Sequence, residues 1–153
     1  MLQNDRLPDQ LRGKLFQALV ESVLLYNGET WTLTDTLEKV VDAAHANLLR
    51  ATFRVHHVNN PVSNNELYKR ARLLPPSVTL RQRRLKLVGH VLRSRDYRPE
   101  PLHDTIFLSL RAPLRRGQGR TVTFLDRLFS DAGAPDQKSG VTFLQRLAVK
   151  REI

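Results

Sequence analysis

Leu11, Leu15, Leu19, Val23 and Tyr26 return at intervals of three and four, with Ala18 on the same face. That period predicts an amphipathic helix from Asp9 to Leu25, stopped near Asn27-Gly28, a pair suited to the left-handed turn that ends helices. Glu29 to Leu33 is expected as a short extended connection around Trp31. A second series, Leu37, Val41, Ala44, Leu48, Ala51 and Val55, predicts a helix from about Thr36 to Arg54. Asp35 and Glu38 stand ahead of it at capping-box spacing. Asn59-Asn60-Pro61 then breaks the chain, and Ser63 with Glu66 opens a short helix ending near Arg72.

Leu73-Leu74-Pro75-Pro76 is a stiff turn, because each proline fixes its own φ and restricts the residue before it. Ser77 is positioned to cap a fourth helix reaching about Arg95. On its wheel Leu80, Leu85, Leu87, Val88, Val91 and Leu92 fill one arc of roughly 160° at 100° per residue. Arg83, Lys86, His90 and Arg93 lie opposite, at steps of three, four and three. Arg81, Arg84 and Arg95 fall inside the apolar arc, where long stems are expected to snorkel out from the helix ends. Beyond Pro99 the signal weakens, and Pro101 to Leu110 fits helix or strand equally. Arg111 to Arg120 is expected to form an exposed basic loop. Phe124, Leu125, Leu128 and Phe129 predict a helix ending at Gly133. Pro135 to Gly140 is expected as a linker before a last helix marked by Val141, Leu144, Leu147 and Ala148. The expected fold is therefore mainly α, a small bundle of four to six helices. Residues 1–98 form its helical part, and 99–153 supply the basic loop and a weakly defined end.

The chain has 153 residues, enough to enclose a core, and 41% are hydrophobic. No apolar run approaches the roughly 20 residues of a membrane span, and the first residues lack the order of a signal peptide. An intracellular protein is expected, nuclear or cytoplasmic. The absence of cysteine excludes disulfides, thiolate chemistry and sulfur-ligated zinc. None of the five histidines forms a helical His-x-x-x-His pair, so neither a metal nor a cofactor is expected.

Charge is distributed unevenly. Residues 1–68 hold six Lys/Arg against eight Asp/Glu, and 121–153 hold five against four. Residues 69–120 hold fourteen against three, so this third carries the whole excess behind the net +10. Such concentration suits one surface meeting a polyanion. Nineteen of the 25 basic residues are arginine, the side chain that grips phosphate bidentately and stacks on bases.

Most charged helix faces are merely solvated. Yet no acid occurs between Lys69 and Arg95, although like charges three and four apart weaken a helix. The stripe of Arg83, Lys86, His90 and Arg93 is therefore assigned to phosphate contact. Arg115, Arg116 and Arg120, with Gly117 and Gly119 among them, form a second candidate contact, the alternative being a solubilising linker. That loop lacks the Gly-Lys-Ser/Thr ending of a phosphate-binding NTPase loop. His90 has no carboxylate at helical spacing to support general-base chemistry. Trp31 is expected to anchor its connection against the first two helices, with base stacking as the alternative. Asp35, Glu38 and Asp42 are explained by a cap and a solvated face, and Asp126 and Asp131 do not share a helical face. No paired aspartates suit two-metal phosphoryl transfer, so no catalytic site is expected.

Four segments, in order, resemble the region that follows the catalytic core in non-LTR retrotransposon reverse transcriptases. They are Leu24-Leu25-Tyr26-Asn27-Gly28-Glu29-Thr30-Trp31-Thr32-Leu33, Val62-Ser63-Asn64-Asn65-Glu66-Leu67, Arg83-Arg84-Leu85-Lys86-Leu87-Val88-Gly89-His90-Val91-Leu92-Arg93, and Arg115-Arg116-Gly117-Gln118-Gly119-Arg120 before Phe124-Leu125-Asp126. The third, similar to the family's "RRLrwlGHvlR", is the most distinctive. The resemblance runs from about Leu11 to Asp131. It implies a thumb-like helical region gripping template–primer: RNA, DNA or their hybrid. It also implies a palm domain as a partner. The family's tyrosine-x-Asp-Asp strand turn does not occur in this chain, so RNA-directed DNA polymerase activity would belong to a longer parent. A degenerate remnant without a nucleic-acid partner is the alternative.

Overall fold

Six helices follow one another through residues 7–55, 61–93, 123–134 and 137–150, the parts that the computed structural model describes. No strand occurs among them, so the fold is mainly α, of the small helical-bundle class. Helix α1 runs through three successive stretches, α-helical Asp9–Phe16, a π turn Gln17–Glu21, and α-helical Ser22–Leu24. Then come α2 (Asp35–Phe53), α3 (Asn64–Ala71), α4 (Pro76–Arg93), α5 (Phe124–Ala132) and α6 (Gln137–Lys150). The chain divides into two compact units, one of Met1–Gly28 with Asp35–Leu80, the other of Glu29–Thr34 with Arg81–Ile153.

Local chemistry accounts for most helix ends. Asn27, at φ 53°, takes the left-handed turn after α1, while Gly28 opens a 3-10 turn, Gly28–Thr30, where an extended link was expected. Arg54, at φ 54°, closes α2, and the Val55 N–H donates back to the Arg50 carbonyl at 3.0 Å. Ser63 Oγ accepts the Glu66 N–H at 3.2 Å to start α3, and Arg72 ends it at φ 55°. Thr123 and Asp126 form a reciprocal capping box at the start of α5, which ends at Gly133 with φ 70°.

In the first unit the core is Phe16, Ala46, Leu49, Phe53, Leu67, Tyr68 and Ala71. Its buried positions differ from those expected. On α1, Arg12, Gly13, Phe16, Glu21 and Leu25 face inward, whereas Leu11, Leu19, Val23 and Tyr26 are exposed. Two causes act together. The inner positions include Arg, Gly and Glu, which a hydrophobic period discards. The π turn then inserts an extra residue, so the inner face passes from Phe16 to Glu21 and Leu25. On α2, His45, Ala46, Leu49, Arg50, Thr52 and Phe53 are buried, and the expected face at Leu37, Ala44, Leu48 and Ala51 is exposed.

Polar pairings make this interior tenable. Arg70 Nε donates to Asp9 Oδ2 at 2.5 Å, and the Arg12 and Arg70 guanidinium carbons each lie 5.4 Å from the Phe53 ring centroid. Arg50 Nη2 donates to the Val62 carbonyl at 3.0 Å. His45, fully buried, has Nδ1 3.1 Å from the Tyr68 hydroxyl and Nε2 3.9 Å from Glu21 Oε2. Phe16 meets the His45 ring edge-on and Tyr68 stacks against it. Burial, then the Asp42 charge, push the Tyr68 phenol up to about 12 against an opposing pull from Arg50. At Gly13 any Cβ would collide with the Ala71 carbonyl, so glycine is what lets α1 and α3 approach.

The second unit packs Val88 of α4 with Leu125, Leu128 and Phe129 of α5 and Leu144 of α6. Gln137 to Gly140, expected as linker, are the first turn of α6. Glycine reads as a helix breaker in sequence, but here a Cβ on Gly140 would stand 2.6 Å from the Phe129 ring, so its absence admits that ring. Trp31, half-buried, lies in Glu29–Thr34 and so belongs to this unit, not to that of α1 and α2.

Candidate nucleic-acid interface

The candidate surface is the outer side of α4. Pro76 takes the first helical position, where its missing N–H costs nothing. Ser77 does not cap this helix as expected. Instead its N–H and Oγ donate to the two oxygens of Asp42 on α2, at 2.8 and 2.7 Å. Asp42 thus serves as a tertiary cap, not as part of a solvated face, and its charge suits the positive end of α4.

Leu80, Arg84, Val88 and Val91 turn inward, as the wheel predicts for all but the arginine. Arg84 lies at the centre of the apolar arc, too far from either edge to snorkel. It is fully buried, and its Nε donates to Asp131 Oδ2 of α5 at 2.5 Å. Arg127 Nε lies 3.7 Å from the other Asp131 oxygen. Asp131 is itself buried, so two guanidinium groups share one enclosed carboxylate. Arg81, also expected in the arc, is exposed.

Of the expected contact residues, Lys86, His90 and Arg93 are exposed and Arg83 is half-buried. They lie on the side of α4 opposite Val88, along one rigid element. Arg93 Nη1 also donates to the Ala148 carbonyl near the end of α6 at 3.4 Å, a long bond that a phosphate could replace. Arg115, Arg116 and Arg120 fall outside the described residues. Arg146 of α6 is an exposed cation that was not singled out. The sequence offered a signal for Arg146, which sits on the polar side of the Leu144–Ala148 pattern.

Arginine-dominated cations on a helix can bind phosphate oxygens, but they supply no nucleophile or acid–base pair. Among the described residues no group of three or more His, Asp or Glu is placed to hold a metal. The His45, Glu21 and Tyr68 cluster is sealed in the core, away from any substrate. No described helix is long and apolar enough to cross a membrane. No family model, curated protein or solved structure matches the chain.

Proposed function

We propose that the chain is a nucleic-acid-binding module that grips a template–primer duplex through α4, as its resemblance to the post-polymerase region of non-LTR reverse transcriptases implies, and carries no polymerase site. One observation supports this most: α4 presents Lys86, His90 and Arg93 outward from a segment without an acid, while its inner face is locked by a buried ion pair. A helix fixed in this way holds its cations in register with a phosphate backbone. Arg83, at the edge of the stripe, and Arg115, Arg116 and Arg120 complete the proposed contacts with RNA, DNA or a hybrid. The palm domain of a longer parent would be the protein partner.

Binding of this kind is sequence-tolerant and falls steeply with salt. About six neutralised phosphates give a log–log slope near −5 on duplex DNA. Fluorescence anisotropy on an RNA–DNA hybrid across a salt series tests it. The triple variant Arg83→Ala, Lys86→Ala, Arg93→Ala is expected to lose about two to three units of slope. Equal slopes in the two proteins would sink the assignment to α4, and absent binding in both would favour a remnant with no nucleic-acid partner.

A further inference from the structure

Of the six described helices, α4 and α6 contain no acid, and each of the others holds at least one. The acids next to α6 in sequence, Asp136 and Glu152, lie beyond its two ends. Both acid-free helices contribute to the core of the second unit, through Val88 and Leu144. The third helix of that core, α5, has two acids, and both are engaged within the unit. Asp126 Oδ2 accepts the Thr123 N–H at 3.0 Å and the Thr123 hydroxyl at 2.8 Å, and Asp131 is buried against Arg84 and Arg127. Glu29, the remaining described acid of the unit, is half-buried on the separate segment ahead of α2. Among the described residues, the exposed charges of α4, α5 and α6 are therefore all of one sign.

We infer that the phosphate-binding surface of α4 extends onto α6, with Arg146 as a further contact residue for the nucleic-acid backbone. This rests on the reading of α4 given above. Arg93, the last residue of α4, reaches α6, because its Nη1 donates to the Ala148 carbonyl at 3.4 Å. Arg146 stands two residues from Ala148, about 3 Å of helical rise, and so within one turn of the Arg93 tip. Leu144 and Ala148 are buried. At 100° per residue Arg146 is turned about 160° from each, and it is exposed on the outer side of α6. With the carboxylates of α5 engaged elsewhere, the anion that suits its planar fork is a phosphate, which an arginine grips through two parallel hydrogen bonds. A backbone that meets Arg93 on one helix meets Arg146 on the next.

The test is anisotropy of the full chain on an RNA–DNA hybrid across a salt series, with three single variants. Arg146→Gln is expected to lower the log–log slope by about one unit. Arg146→Lys is expected to keep it, because lysine still meets a phosphate as a point charge. Lys39→Gln removes the same charge from an exposed position on α2 and is expected to leave the slope at its wild-type value. A wild-type slope in Arg146→Gln, with about two to three units lost in the α4 triple variant, overturns the inference and leaves the α4 reading standing. An equal loss in Lys39→Gln overturns it as well, since binding would then follow net charge and not position. Unchanged slopes in both Arg146→Gln and the triple variant, or no binding by the wild-type chain, would sink the inference and the α4 reading together.

Discussion

The two units of this chain solve the same problem with opposite materials. The second encloses Val88, Leu125, Leu128, Phe129 and Leu144, the residues that apolar periodicity marks, and admits charge as one shared carboxylate, Asp131. The first encloses Arg12, Glu21, His45, Arg50 and Thr52 beside its Phe and Leu core, and leaves Leu19, Val23, Tyr26, Leu37, Val40 and Leu48 outside. Among the described residues, the second unit gathers its buried charges on one carboxylate shared by two guanidinium groups, and the first spreads contacts of ring, hydroxyl and guanidinium. An interior rich in polar pairings gains geometric definition more than net free energy.

Three changes would sharpen or break this contrast. The largest effect is expected in the second unit. Asp131→Ala strands Arg84 and Arg127 without their carboxylate, costing about 3–5 kcal/mol in chemical denaturation. The double replacement Arg84→Met, Asp131→Leu should recover most of it, because an apolar pair of similar volume does not need the charges. A single variant as stable as wild type would show that the enclosed pair is not what fixes α4.

A smaller effect is expected at Tyr68. Its folded-state pKa lies above its unfolded value near 10, at about 12. Folding therefore favours the protonated phenol; that contribution is complete below pH 10 and is lost as pH rises toward 12. Tyr68→Phe should cost about 1 kcal/mol at neutral pH through the lost His45 contact. It should also flatten the alkaline fall in stability, measured as denaturation midpoint against pH. An unchanged alkaline slope would assign that fall to other groups.

The smallest change is expected on the outer stripe of α1. Val23 is 75% exposed, so Val23→Ser should shift stability by no more than about 0.5 kcal/mol. A loss of several times that size would mean Val23 is covered in solution, and the contrast between the units would narrow.

Helix existence was legible in the sequence almost throughout, because caps and turn residues act locally. Ser63, Gly133, Asn27 and Pro76 mark their boundaries to within a residue or two. The α4 face was legible too, since a wide apolar arc opposite a basic stripe leaves one way to pack. Arg84 was not, because its partner Asp131 stands 47 residues away and no local pattern links them. The inward faces of α1 and α2 were misjudged for a related reason. Their buried Arg12, Glu21, His45 and Arg50 become tolerable only through tertiary partners, and hydropathy ranks them as surface. Of the candidate interface, Lys86, His90 and Arg93 were found as expected on the exposed side. Arg81 is exposed near the start of α4, where its stem was expected to snorkel.

The π turn at Gln17–Glu21 gives α1 one residue more than ordinary winding needs to join its two inner faces. Removing one residue between Phe16 and Glu21 would leave the two four apart, and in an ordinary α-helix that spacing sets them about 40° apart on one face. Phe16 could then stay in the core while Glu21 still faced His45. A single-codon deletion would be absorbed here, whereas the same deletion elsewhere in the helix would turn everything before it by about 100° against everything after.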